Sequence, residues 1–214
     1  MTNLLHLAAA AVFQYPSSPH IRRHGPRGYA DYTSYKSWLR DEFLFRCVYC
    51  LTRERWRHDG HEGFSGDHFD AQATHPQRRG QYDNLFYVCC ACNAARGAVP
   101  LPIDPASESL GAHWCITREG VAEPLTAKGA QFIAICHHNR PALIDYRRRL
   151  LRLIETLAES DAPQAKVALQ ELLAFPTDLP DLAAKRPPGG NMRPSGIAES
   201  CFERQQRREL PAVY

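Results

Sequence analysis

The apolar positions of this chain are most regular after residue 140. Leu143, Ile144, Tyr146, Leu150, Leu151, Leu153, Ile154 and Leu157 form a broad stripe that predicts a helix from Pro141 to about Glu159. After a short Asp-Ala break, Pro163 to Leu173 reads as a second helix. Near the other end, Tyr35, Trp38, Leu39 and Phe43 fall near one face of a short helix over 34–45, with Thr33 or Ser34 as its cap. Between these helices the apolar runs are short. Gly66 to Phe69 begins a strand, Leu85 to Val88 forms another, and 92–96 opens a helix that stops at Gly97, with Pro100 and Pro102 beyond. Residues 51–66 and 71–81 read as mainly loop. Residues 103–130 read as loop and short strands, with a hairpin turn at Arg118-Glu119-Gly120. From Pro176 onward Pro, Gly and charge dominate, and the default for this tail is disorder. The fold class expected is α+β, in four segments: a loop-and-helix extension over 1–44, a core over 45–100, a hairpin and helical extension over 101–175, and a basic tail over 176–214.

Composition narrows this only modestly. With 44% hydrophobic and 23% charged residues in 214, a sizeable core is available. The net charge of +3 is too weak to announce a nucleic-acid binder by itself. Residues 40–100 are neutral, eight basic against eight acidic, so attraction to phosphate would come mostly from the flanks. The apolar run Leu4–Phe13 is short and has no basic segment before it, and no stretch reaches the length of a membrane span. The expectation is a cytoplasmic protein with reduced thiols.

The eight cysteines change the picture more. Four stand as two Cys-x-x-Cys pairs, Cys47/Cys50 and Cys89/Cys92, while Cys90, Cys115, Cys136 and Cys201 are scattered. Two pairs at that spacing point to a tetrahedral Zn²⁺ held by four thiolates, a closed structural site with no position for water. Any chemistry then lies in the 38 residues between the pairs. That loop holds Asp67-His68 and Asn84, and Asn93 follows the last cysteine. Histidine is the natural base near neutral pH. A carboxylate and an amide oxygen suit Mg²⁺ or Mn²⁺. Adjacent strand residues face opposite ways, so Asp67 and His68 can flank a phosphate but cannot both point at one atom. Taken singly, Asp67-His68 is a surface pair, Asn84 a turn residue and Asn93 a helix N-terminal residue; the order in which they occur is the signal.

That order resembles the HNH endonuclease family in its zinc-bearing ββα-metal form. The residues carrying the resemblance are Cys47-Val48-Tyr49-Cys50, Asp67-His68-Phe69, Tyr82-Asp83-Asn84-Leu85 and Cys89-Cys90-Ala91-Cys92-Asn93 followed by Arg96-Gly97, over about 45–97. The resemblance implies that His68 is the general base on the first strand, that Asp67 and Asn93 hold the catalytic cation, and that Asn84 holds the loop so that His68 meets the attacking water. The implied products carry a 5′-phosphate and a 3′-hydroxyl. Where the family often continues with a branched residue and Pro after Asp-His, this chain has Phe69-Asp70-Ala71; Asp70 is expected to face solvent. The stretch 105–153, with Ile103-Asp104-Pro105, a Gly-containing hairpin and Asn139-Arg140 leading into an Arg-rich helix, also looks like the segment that follows the core in some bacterial anti-phage nucleases, including the Septu nuclease subunit. A defence effector working with a partner ATPase or sensor is the expectation by analogy.

Arg78 and Arg79 are candidates to grip a neighbouring phosphate, and Arg147 and Arg148, with Arg140 and Arg152, give the long helix a basic face that would contact nucleic acid or simply stay solvated. Trp38 and Trp56 could stack on bases, although packing is the blander reading. DNA is the expected substrate. An RNase with the same site is the alternative, because a cation on phosphate oxygens ignores the sugar. A zinc module that binds without cutting is another alternative, disfavoured by the presence of His68, Asp67 and Asn93. A zinc deaminase is disfavoured by the lack of a His-x-Glu upstream of Cys89 and of a Pro before it.

Overall fold

A computed structural model describes residue 9 and residues 11–214. The apolar run Leu4–Phe13 falls largely outside the described residues. The chain is mixed α and β and divides into two compact units, each assembled from separated segments. One comprises Ile21–Leu101 with Pro176–Leu210; the other comprises Pro102–Phe175 with the described residues up to His20 and Pro211–Tyr214. These limits differ from the four consecutive segments that the sequence suggests. Among the described residues no helix is long and apolar enough to cross a membrane.

The first unit opens with a 3₁₀ turn, Tyr32–Tyr35, running into helix α1, Lys36–Glu42. The cap is Asp31, whose carboxylate accepts from the Thr33 backbone N–H at 3.0 Å, and not Thr33 or Ser34. Tyr35, Trp38, Leu39 and Phe43 are buried, as their spacing requires. Strand β1, Phe64–His68, pairs antiparallel with β2, Leu85–Cys89, in the register Phe64 to Cys89 and His68 to Leu85. Every residue of β2 is buried, and the Phe64 and Tyr87 rings stack at 5.0 Å between centroids. Helix α2, Cys90–Arg96, follows β2 without a loop. It ends at Gly97, with φ 59° and ψ −133°, a conformation that is costly for any residue with a Cβ. Gly66 keeps β1 close to α1, because a Cβ there would come within 3.3 Å of the Leu39 side chain.

The segment 176–210 folds back onto this unit and is ordered, against the expected default. Asp41, fully buried, accepts from the Cys201 backbone N–H at 2.7 Å, and the Arg193 guanidinium reaches both Asp83 and the His24 carbonyl. Leu179 and Leu182 are buried. The tail was misread because polar anchors of this kind leave no periodic trace in a Pro- and Gly-rich sequence.

In the second unit, hairpin β3–β4, Trp114–Ile116 and Ala122–Pro124, turns at Gly120 as expected. Helix α3, Ala127–Ile135, stands where loop or short strand was expected up to 130. Its signal was Thr126, whose hydroxyl accepts from the Gly129 N–H at 3.1 Å. Helices α4, Pro141–Glu159, and α5, Pro163–Leu173, match the predicted limits and lie against each other. The buried positions of α4 are Leu143, Arg147, Leu150 and Ile154, and Leu153 is exposed.

Candidate functional site

The two cysteine pairs converge. The Sγ atoms of Cys47, Cys50, Cys89 and Cys92 all lie within 4.8 Å of one another, and all four residues are buried. The first pair sits on a tight turn between the bridged residues Arg46 and Arg53, closed by Leu51 N–H to Cys47 C=O and Cys47 N–H to Thr52 C=O, each at 2.9 Å. Leu51 takes a positive φ of 60° to complete it, a strained choice for a γ-branched residue. The second pair straddles the junction of β2 and α2. A hydrogen bond from Val48 N–H to Tyr87 C=O at 2.9 Å holds the turn against β2. Burial holds the Cys47 thiol well above its usual range, while hydrogen bonds from the other three thiols draw Cys50 well below. Four buried sulfur atoms this close together are an arrangement a cation would complete, and these four residues can hold a metal ion. Cys90 is exposed and stands apart from the cluster, and the buried Cys136 and Cys201 are also outside it.

On the open side of β1 lies a cleft of about 240 Å³ whose lining includes Tyr32, Asp67, His68, Gln72, Asn93 and Arg96. The end of β1 and the first turns of α2 thus bring three of the sequence candidates together. Asp67 is buried, and its Oδ2 accepts from the Tyr49 hydroxyl and from Arg96 Nη1, both at 2.6 Å. Burial pushes its carboxyl up, against the pull of Arg96 and Tyr49. Asn93, one turn before Arg96 on α2, donates from Nδ2 to the Ser65 hydroxyl at 3.0 Å, which turns its carbonyl oxygen the other way.

His68 is held at both ring nitrogens. Nε2 lies 2.9 Å from the Arg79 carbonyl oxygen, which can only accept, so Nε2 carries the proton and Nδ1 keeps the lone pair. Nδ1 lies 3.0 Å from Nε2 of Gln72. Tyr32 packs its ring against the imidazole, centroids 4.7 Å apart. Burial lowers the ring's proton affinity, partly offset by the Arg79 carbonyl, so the neutral form is favoured.

Asn84 is buried and is not part of the cleft's lining. Its Oδ1 accepts from Asp70 N–H at 2.9 Å, and its Nδ2 donates to the carbonyls of Asp70 and Arg78 at 3.1 and 3.3 Å. One side chain therefore clasps both ends of the loop 70–78, next to the Arg79 carbonyl that orients His68.

The remaining candidates are placed differently. Arg78 is ion-paired with Asp70 and bonded to Gln81, so Asp70 faces a guanidinium instead of open solvent. Arg79 is exposed, with its guanidinium 5.7 Å over the Tyr32 ring. Arg147 is a correction: it is fully buried in the other unit, donating to the carbonyls of Gly120 and His138, and it cannot meet a phosphate there. Arg148, also in that unit, pairs with Asp145. Trp38 is fully buried and cannot stack on a base, and Trp56 lies under the Arg53 guanidinium.

Arg96 is offered by the sequence as part of the resemblance but is given no role. It is 1% exposed and donates to Asp67, to the carbonyls of His68 and Phe69 at 2.6 Å each, and to Val99 at 3.2 Å, tying α2 to the end of β1. The available signal was helical spacing: Arg96 stands four residues after the buried Cys92, on the same face. Gln72 and Ser65 carried no signal. Comparison with protein-family models, curated proteins and solved structures gives no significant match for this chain.

Proposed function

We propose that this chain is a metal-dependent endonuclease of the HNH type, hydrolysing phosphodiester bonds, with DNA as its substrate. The observation that supports the reading most is the state of His68: a neutral imidazole, fixed by a backbone carbonyl so that Nδ1 is its basic nitrogen, in one cleft with a carboxylate and an amide. These are the parts that water activation at a phosphorus centre needs. In the proposed step, Nδ1 takes a proton from water as the oxygen attacks phosphorus. The new P–O bond forms, the P–O3′ bond breaks, and the leaving oxygen takes a proton from solvent. A 5′-phosphate and a 3′-hydroxyl remain.

The oxygen donors in the cleft fit a hard divalent cation. Arg96 and Tyr49 both take Oδ2 of Asp67, which leaves Oδ1 for a cation, and Ser65 takes the Asn93 amide nitrogen, which leaves its carbonyl oxygen. Mg²⁺ or Mn²⁺ held there would neutralise charge developing on the phosphate. The four cysteines fit Zn²⁺ in a structural role, since thiolates are soft donors and four of them close the coordination sphere. The resemblance of 105–153 to anti-phage nucleases supports a defence effector, recruited by a partner ATPase or sensor, as the setting.

The experiment is incubation of the purified chain with supercoiled plasmid, single-stranded DNA and RNA, in Mg²⁺ or Mn²⁺ and in chelator. Nicking of plasmid that needs the divalent ion is expected, and cleavage of RNA alone would favour the RNase reading. His68→Ala should keep its zinc content and its circular dichroism and lose at least ~10²-fold in rate, the size of a general-base contribution. Undiminished nicking by that variant would remove His68 from the role.

A further inference from the structure

The lone pair that the proposed reaction needs is already in use. The Arg79 carbonyl fixes the proton on Nε2 of His68, and the one lone pair of the neutral ring, on Nδ1, meets the amide nitrogen of Gln72 at 3.0 Å. An imidazole nitrogen accepts one hydrogen bond. While Gln72 donates to it, no water can, and the base is covered. Gln72 stands on the turn Ala71–His75, closed by the N–H groups of Thr74 and His75 on the Ala71 carbonyl, and it lines the cleft. Asn84 clamps the backbone of this loop at Asp70 and Arg78, so the side chain is what is free to swing.

We propose that Gln72 is a displaceable cap on His68: in the resting protein its amide occupies Nδ1, and an incoming phosphodiester draws that amide away and lets the attacking water in. This rests on the nuclease reading above. It adds a residue that sets the resting state of the site and makes the substrate's own anionic oxygens, which accept from an amide, the agent that uncovers the base. Gln72 touches the base before the reaction and leaves it during the reaction, so it gates the site and does not take part in the proton transfer.

The test compares wild type, Gln72→Ala and Gln72→Glu as full chains. Kinetics are measured on a plasmid or oligonucleotide with Mg²⁺, and the His68 ring nitrogens are followed by long-range ¹H–¹⁵N correlation at pH 8. In Gln72→Ala the Nδ1 resonance should move downfield as the amide is removed, and KM should rise about 2- to 10-fold with kcat unchanged, because the amide's bond to an anionic phosphate oxygen, lost with it, is worth more than its neutral bond to Nδ1. In Gln72→Glu the carboxylate can only accept, so it cannot donate to the Nδ1 lone pair and favours a proton there instead, and kcat should fall. An Nδ1 resonance that does not move in Gln72→Ala, or a lower kcat in that variant, would overturn the cap while leaving the nuclease reading intact. A wild-type protein that cleaves none of the substrates ends the nuclease reading, and the cap with it.

Discussion

Two residues that meet through Arg96 decide what the cleft can do, and their electrostatics run in opposite directions. Burial lowers the proton affinity of His68 and raises that of Asp67. For His68 the folded value lies below the usual 6.5, so between the two values the unfolded chain binds more protons than the folded one. The stability it contributes is fully present above 6.5 and is lost as pH falls through the folded value. Asp67 behaves in the reverse sense: its folded value exceeds 3.8, so its contribution is present below 3.8 and is lost as pH rises through the folded value. The prediction for activity follows from the histidine. A base must be neutral, so the acid limb of the cleavage rate should have its midpoint below 6.5, with no loss on the alkaline side from this group. Urea unfolding of wild type and His68→Gln at pH 7.5 and pH 5, which cancels the Asp67 contribution, should show wild type losing more stability on acidification. An acid limb centred above 6.5 would contradict the buried, neutral ring. Arg96 adds the packing side of the same site. A buried carboxylate deprived of its guanidinium is costly, about 3–5 kcal/mol in other proteins, so the residue that positions Asp67 is also one that the fold needs. His68, Asp67 and Asn93 were legible because their chemistry and order are unusual. Arg96 and Gln72 were not, because their roles come from where the chain folds.

At the scale of the elements, the cysteine cluster fixes how β2 runs into α2. Cys89 ends the strand, Cys92 lies in the first turn of the helix, and Asn93 and Arg96 are carried on that helix into the cleft. A cation on the four thiolates would therefore hold the helix that aims the cleft, although it lies outside the cleft itself. Removing the ion by strong chelation, or replacing one ligand in Cys89→Ser, should lower the melting temperature and abolish cleavage together, and restoring Zn²⁺ to the chelated wild type should recover both and release protons as thiols become thiolates. A metal-free protein with unchanged melting and full activity would show the cluster to be four packed thiols. The helical elements show where sequence patterning works and where it misleads. Pro141 and Pro163 mark the starts of α4 and α5 because proline suits a first helical turn. Arg147 was placed on a basic face because of its charge, yet it stands at the spacing of Leu143, Leu150 and Ile154, and the spacing describes its burial correctly.

On the scale of the whole molecule, the two compact units are each built from segments far apart in the chain, and that is what a linear reading misses. The segment 176–210 has almost no regular apolar pattern, and its contacts with its own unit are polar and specific. Asp178 shares the Arg40 guanidinium with the buried Glu54, Asn191 accepts from Gly25 N–H at 2.9 Å, Arg193 pairs with Asp83, and the Cys201 N–H closes on Asp41. Between these anchors Leu182 is fully buried. Such an arrangement makes the tail part of the folding unit that carries the cleft, and the difference is measurable. In a disordered tail, Leu182→Ala would change stability by nothing detectable, since the side chain would be exposed in both states. In the ordered tail it removes a buried side chain and should cost about 2–5 kcal/mol in urea unfolding. The exposed Met192 on the same segment supplies the control: Met192→Ala should change stability by less than about 0.5 kcal/mol. Equal and negligible effects from both substitutions would return 176–210 to the status of a tail. A large effect from Leu182 alone would mean that residues more than a hundred positions from His68 help to hold the unit in which its imidazole is set.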